Sequence, residues 1–232
     1  MENNVEIRDK WECPAGTGAP LITMPNVPRP LHGLAPRKIM GDSTWDHVRK
    51  RCYYLAGYKC EVCGEGLVKP YYAAHELYSY DYIEGIGKFE RYIAICSKDH
   101  DFIHSGRMVT LFKSGNTFYP KSYVLEVVEK GFKLINEYNS EHCKQEPLKA
   151  YATFLNYLKT PELTNEIQSL IDKYNIEFYQ EPKHIAKWNK WRLIIGNKEY
   201  PSPYSDQGKW VEAMKEASQN DTIRVVGNPD ST

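Results

Sequence analysis

The chain reads as an α+β fold in which a metal-knuckle motif is followed by two short strands and a ligand-rich helix. Three observations predict this. Cys60-Glu-Val-Cys63-Gly spaces two thiols as a tetrahedral metal ion needs them. Arg91-Tyr-Ile-Ala-Ile95 is a β-branched run that leads directly into Cys96-Ser-Lys-Asp-His100-Asp-Phe-Ile-His104. Apolar residues then recur at helical spacing over Ser122 to Tyr138, through Val124, Val127, Val128, Phe132 and Ile135.

Taken in order, residues 1–41 hold six of the fourteen prolines. Proline fixes φ and biases the preceding residue to extended geometry, so an irregular arm lying across another element is expected. Ser43-Thr44-Trp45-Asp46 marks a helix start, and the helix runs through Val48, Cys52 and Leu55 to Gly57. After the knuckle, Tyr71 to His75 forms a short strand ending at the polar pair His75-Glu76. A tyrosine-rich loop with Gly85 and Gly87 follows, although Tyr78, Tyr80 and Tyr82 also alternate as a packed strand face would. The segment Ser97 to His104 is expected to be helical and Gly106 to stop it. Met108 to Tyr119 is expected to be a hairpin turning at Ser114-Gly115-Asn116. Helices are expected at 146–158, 161–174 and 207–217, a short β element at 191–200 and a frayed tail. The organisation expected is an arm over 1–41, a zinc-stapled unit over 42–119 and a mainly helical region over 120–232.

The 232 residues carry thirty basic and thirty acidic side chains, with 41% hydrophobic and 13% aromatic residues. That composition is globular, and any nucleic-acid binding must come from local patches. No apolar run spans a bilayer, and Met-Glu-Asn-Asn is unlike a secretory signal, so a soluble cytoplasmic protein with no membrane partner is expected. Six cysteines are too few for a disulfide scaffold. Cys60 and Cys63, with Cys96 and His100 one helical turn apart, are the expected structural zinc ligands. Cys52 reads as a buried small hydrophobe and Cys143 as a surface residue.

The quoted knuckle, Ala74-His75-Glu76 and Cys96-x3-His100-x3-His104 together resemble the HNH endonucleases, whose core is the zinc-stapled ββα-metal (His-Me finger) unit. The resemblance covers roughly residues 58–106. It implies a metal-dependent hydrolase of DNA phosphodiester bonds, with RNA as a possible substrate. It also implies a structural zinc and a catalytic magnesium or manganese ion. Carried over, His75 is the general base and His104 binds the catalytic metal; a shift of one residue makes His75 a ligand and puts Glu76 in the base slot. Asp99 stands where the family has its fourth zinc cysteine, so either Asp99 or His100 completes the zinc set, with His100 favoured. Arg91 or Lys88 occupies the neighbourhood of the family asparagine; a cation cannot ligate metal but can grip a phosphate.

Arg107, just after His104, is a phosphate candidate near that metal. Lys187, Lys190 and Arg192, in the basic run from Lys183 to Lys198 with Trp188 and Trp191, form a second nucleic-acid candidate. In the rival reading the tryptophans anchor a subdomain. At the level of function the alternatives are a zinc-stabilised binding module that lost the chemistry (an inhibitor or adaptor), a structural zinc domain, and a homodimer or protein partner engaged through the C-terminal region.

Overall fold

The computed structural model describes residues 6–7, 9–69, 72–158, 160–180 and 186–226, and shows a mixed α+β fold. Strands β1 (Glu6–Ile7) and β2 (Lys10–Trp11) open the chain. Two 3-10 turns, Ala19–Thr23 and Arg29–Leu31, lead to helices α1 (Pro36–Met40) and α2 (Asp42–Leu55). The strands β3 (Tyr72–Asp81) and β4 (Ile86–Cys96) are followed by α3 (Ser97–Ile103), α4 (Ser105–Lys113) and α5 (Lys121–Glu141). The remainder comprises β5 (Ala150–Tyr151), α6 (Ala152–Leu158), α7 (Thr164–Tyr174), β6 (Phe178–Gln180), β7 (Arg192–Ile195), β8 (Lys198–Pro201) and α8 (Gln207–Val226).

The main sheet has the order β2-β3-β4-β7-β8, and a small parallel sheet has the order β1-β6-β5. β3 and β4 are antiparallel from Tyr72↔Cys96 to Asp81↔Ile86, with an irregularity between Leu77 and Tyr78. Side chains alternate across this ladder. Leu77, Ile93 and Ile95 belong to the main core, whereas Ala74 and Ala94 pack with Cys52 and Tyr53 of α2. The main core also takes Trp11, Leu21, Ile22 and Leu31 from the N-terminal arm, and the Val124, Val127, Val128, Phe132 and Ile135 stripe of α5.

Several expectations change. β3 runs on to Asp81 instead of ending at His75-Glu76, because Tyr78, Tyr80 and Tyr82 are buried as a packed ladder of rings. Tyr71, its expected first residue, lies outside the described residues. Gly85 turns the hairpin at φ +69°, while Gly87 is inside β4. Gly106 does not stop a helix: α3 ends at Ile103 with His104 as its cap, and α4 starts at Ser105 and includes Gly106. The expected hairpin over 108–119 is therefore helix, up to a turn at Gly115 with φ +73°. Burial of Met108 and Val109 decides it, since adjacent buried positions suit a helix face packed on a core rather than an alternating strand. The first C-terminal helix is shorter than expected and follows a strand, and α8 continues past Ala217. Among the described residues, no helix is long and apolar enough to cross a membrane.

α3 is seated closely on α5. Gly131 makes this possible, because a Cβ there would stand 2.1 Å from the Phe102 ring. Phe102 meets Phe132 edge-on at 6.0 Å. This contact sets the depth at which the ligand-rich helix lies.

Candidate metal centres

The first centre starts from the knuckle. The turn is closed by Cys60 N–H donating to Glu65 O at 2.7 Å and Gly64 N–H donating to Cys60 O at 2.8 Å, with Gly64 at φ +76°. Glu61 ties the turn to β4: its amide donates to Ala94 O and its carboxylate accepts from Ala94 N–H, each at 2.9 Å. Cys60, Cys63, Cys96 and Asp99 thereby converge, with one ligand atom from each lying within 4.8 Å of the others. Zinc–sulfur bonds of about 2.3 Å in a tetrahedron place sulfurs about 3.8 Å apart. Cys63 Sγ and Cys96 Sγ stand 4.0 Å apart, a fit to a shared ion and far beyond a disulfide. Cys60 Sγ lies 3.1 Å from Asp99 Oδ2 and accepts from Cys96 N–H at 3.4 Å.

The favoured fourth ligand, His100, is not in this set; Asp99 is. Cys96 explains the change. It is the extended N-cap of α3, with φ −73° and ψ 159°, so the helical phase that would align it with His100 does not reach it. Burial and the hydrogen bond with Cys63 push the Asp99 carboxyl up to about 6. Hydrogen bonding with Cys60, ahead of that with Cys63, draws the Cys96 thiol down to about 4.

Lys130 of α5 caps the cluster, a residue that its sequence neighbourhood did not single out. Its Nζ lies 3.3 Å from Cys63 Sγ, 3.5 Å from Cys96 Sγ, 3.2 Å from Asp99 Oδ1 and 3.0 Å from Glu65 Oε2. Burial works to discharge this ammonium, but Asp99, Glu65 and the thiols prevail and raise its pKa. Three thiolates and a carboxylate around a divalent ion leave an excess of negative charge, which Lys130 offsets.

The second centre is a set of imidazoles. His75 from β3 faces His100 of α3 and His104 at its C-terminal cap, with ring centroids at 5.3 and 4.9 Å, and 4.7 Å between the latter two. One nitrogen from each lies within 4.8 Å of the others. His75 is 4% exposed, and neither of its ring nitrogens has a hydrogen-bond partner among the described residues. Orphaned buried polar atoms cost about 1–3 kcal/mol each, and metal ligation is one way to satisfy them. Burial, then the neighbouring histidines, holds His75 well below its ordinary pKa. Burial first, then charges that include Arg107 and Arg37, lowers His100 to about 3 and His104 to about 4. All three rings are therefore neutral near pH 7 and present free lone pairs. An all-imidazole set suits zinc, nickel, cobalt or copper, whereas magnesium and manganese favour oxygen donors.

Glu76 projects to the other face of β3, opposite Tyr92 in register, with Arg37 Nε 3.8 Å from its Oε1. Burial raises its pKa, against the pull of Arg37. Arg107 lies 3.8 Å from the buried carboxylate of Asp101. Arg91 is committed elsewhere, at 2.6 Å to Glu61 and donating to Gly16 O, so it pins the arm to the knuckle. Lys187 and Lys190 are exposed and Arg192 pairs with Glu199 at 3.3 Å, while Lys183 lies outside the described residues. Trp191 is fully buried, donating to Ala186 O at 3.1 Å, so it is an anchor and not a stacking platform.

No family model, curated protein or solved structure matches the chain.

Proposed function

We propose that the chain is a metal-dependent endonuclease of the HNH type, built on a zinc-stapled ββα-metal core and hydrolysing DNA phosphodiester bonds. The observation that carries this reading is the convergence of His75 with His100 and His104 on one buried point beside the thiol cluster. Zinc in the Cys60, Cys63, Cys96 and Asp99 set is structural and fixes α3 against the knuckle.

In this reading His75, His100 and His104 hold the catalytic ion, of the zinc, nickel or cobalt type. The ion supplies positive charge to the phosphate and leaving oxygen when bound. His75 converges with His100 and His104, which in this reading makes it a ligand and leaves the base role to Glu76, the next residue of β3. The burial that raises Glu76's pKa makes it a stronger proton acceptor near neutral pH. Among the described residues no strand pairs with the outer edge of β3 before Tyr80, and in this reading the phosphate lies along that edge. Arg37 and Arg107 flank it and stabilise its charge.

Plasmid nicking, with zinc, nickel, cobalt, manganese or magnesium added in turn, tests this. Cleavage is expected with the nitrogen-preferring ions, lost in His100→Ala and reduced at least about 100-fold in Glu76→Gln. Absence of cleavage with every ion and DNA form would favour the inactive binding module. Support for that second reading comes from the imidazole set, which lacks an asparagine, and from Arg91, which is engaged with Glu61 and Gly16.

A further inference from the structure

A second feature of the α2 side of the sheet is unused by this chemistry. An open groove of about 990 Å³ runs between α2, the knuckle and β4. Its floor is Phe89 and Tyr92, whose rings pack at 4.9 Å, and its walls include Val48, Arg51 and Leu55 on one side and Lys59 on the other. Among the described residues Arg51 and Lys59 have no acidic partner, and both are exposed. Arg49 and Lys50, the two residues before Arg51, share the single carboxylate of Asp46. The groove and its rim thus carry a surplus of positive charge on a chain whose net charge is zero. Phe89 and Tyr92 are both partly exposed, and Tyr54 and Tyr58, near the C-terminal end of α2 but outside the groove lining, are 69% and 53% exposed.

Cations without partners beside accessible aromatic rings match a nucleic-acid strand whose bases are unstacked, since phosphates meet the cations and any base can lie on a ring. A blunt duplex would use only the cations, because its bases stay inside the stack. The groove adjoins the Glu76 face of the hairpin: Tyr92 in its floor is the direct cross-strand neighbour of Glu76. We infer that the groove between α2 and the knuckle binds a single-stranded segment of nucleic acid and delivers it to the edge of β3. This rests on the nuclease reading for what happens at that edge, and makes substrates with a single-stranded arm the preferred class.

Fluorescence anisotropy on the full zinc-loaded chain carrying His100→Ala, which blocks cleavage, tests the binding. A labelled thymidine oligomer is expected to bind about ten-fold tighter than a blunt duplex of equal length. Arg51→Glu with Lys59→Glu is expected to weaken strand binding about ten-fold with zinc content unchanged, and Phe89→Leu to weaken the strand more than the duplex. Equal affinity for strand and duplex, or indifference to the charge reversal, overturns the inference. So does polyglutamate that competes as well as the strand, which would mark an acidic-polypeptide site. The two readings separate cleanly in a parallel nicking assay. Strand binding as described with no cleavage by the wild type removes the nuclease and leaves the groove. Cleavage with binding insensitive to Arg51 and Lys59 removes the groove alone.

Discussion

Lys130 Nζ stands 3.3 Å from Cys63 Sγ, joining the 21-residue helix α5 to the thiol cluster of the knuckle. This ammonium is the only cation placed against the cluster among the described residues, and it also touches Cys96 and Asp99. Lys130→Met should leave the zinc ligands in place but their charge uncompensated. Partners outside the ligand set typically shift metal affinity about 10–100-fold, so zinc retention should weaken by at least about ten-fold. Competition with a chromophoric chelator measures this, and unchanged retention would show that Lys130 only fills space.

Zinc should be as important to folding as to the site. About one tightly held ion per chain is expected, and Cys60→Ser should lose it and destabilise the protein by more than about 3 kcal/mol. Elemental analysis paired with chemical denaturation gives both quantities. A variant that lost its zinc but kept its midpoint would separate the cluster from stability.

Gly131→Ala should be costly although it adds one methyl group. The new Cβ would lie 2.1 Å from the ring of buried Phe102, with α5 and α3 both held by the core. Overpacking of this kind costs about 1–3 kcal/mol, and relief requires α3 to move away with His100 and His104. Urea unfolding should show the loss, and histidine NMR shifts should show the displaced rings. An unshifted midpoint would mean that the helices separate freely.

His32 makes the attachment of α8 dependent on pH. Its Nε2 lies 3.0 Å from Val27 O, and its Nδ1 accepts from the Trp210 indole N–H at 3.1 Å. The Trp210 contact requires the neutral ring with the proton on Nε2, whereas the Val27 contact is kept when the ring is protonated. Burial lowers the His32 pKa, Val27 opposes and Arg29 adds to the lowering. The folded value therefore lies below the unfolded one, so this stabilisation is present above about pH 6.5 and is lost as pH falls towards the folded value. The buried metal-site histidines contribute with the same sign, so the readout is the difference between wild type and His32→Asn. The variant should lose less stability than the wild type between neutral and mildly acidic pH; equal slopes would exclude His32 as the source.

Legibility followed the range of the interaction. Cys60 and Cys63 sit in a turn closed by its own backbone, and the stripe on α5 repeats every helical turn, so both were visible in the chain. The strand-strand-helix order was visible for the same reason, as were the burial of Cys52 and the exposure of Cys143. Met108 to Lys113 was misread because its short apolar run fits either period, and packing against the core chose the helix. Trp191 looked available for stacking because its neighbours are basic; burial of the ring beside Tyr82 is a long-range contact that no local pattern encodes.

By itself, then, the sequence determined the knuckle, the main helices and the residue types able to bind metal, since each depends on neighbours a few positions apart. Tertiary structure decided which candidate ligands converge. It assigned Asp99 to the thiols and His100 to His75, because the extended Cys96 shifts the phase of α3. It buried His75 against the two histidines of the following segment, and it brought Lys130 from a distant helix against the thiols. Those outcomes depend on the angle at which one element meets another, and only the packed core sets that angle.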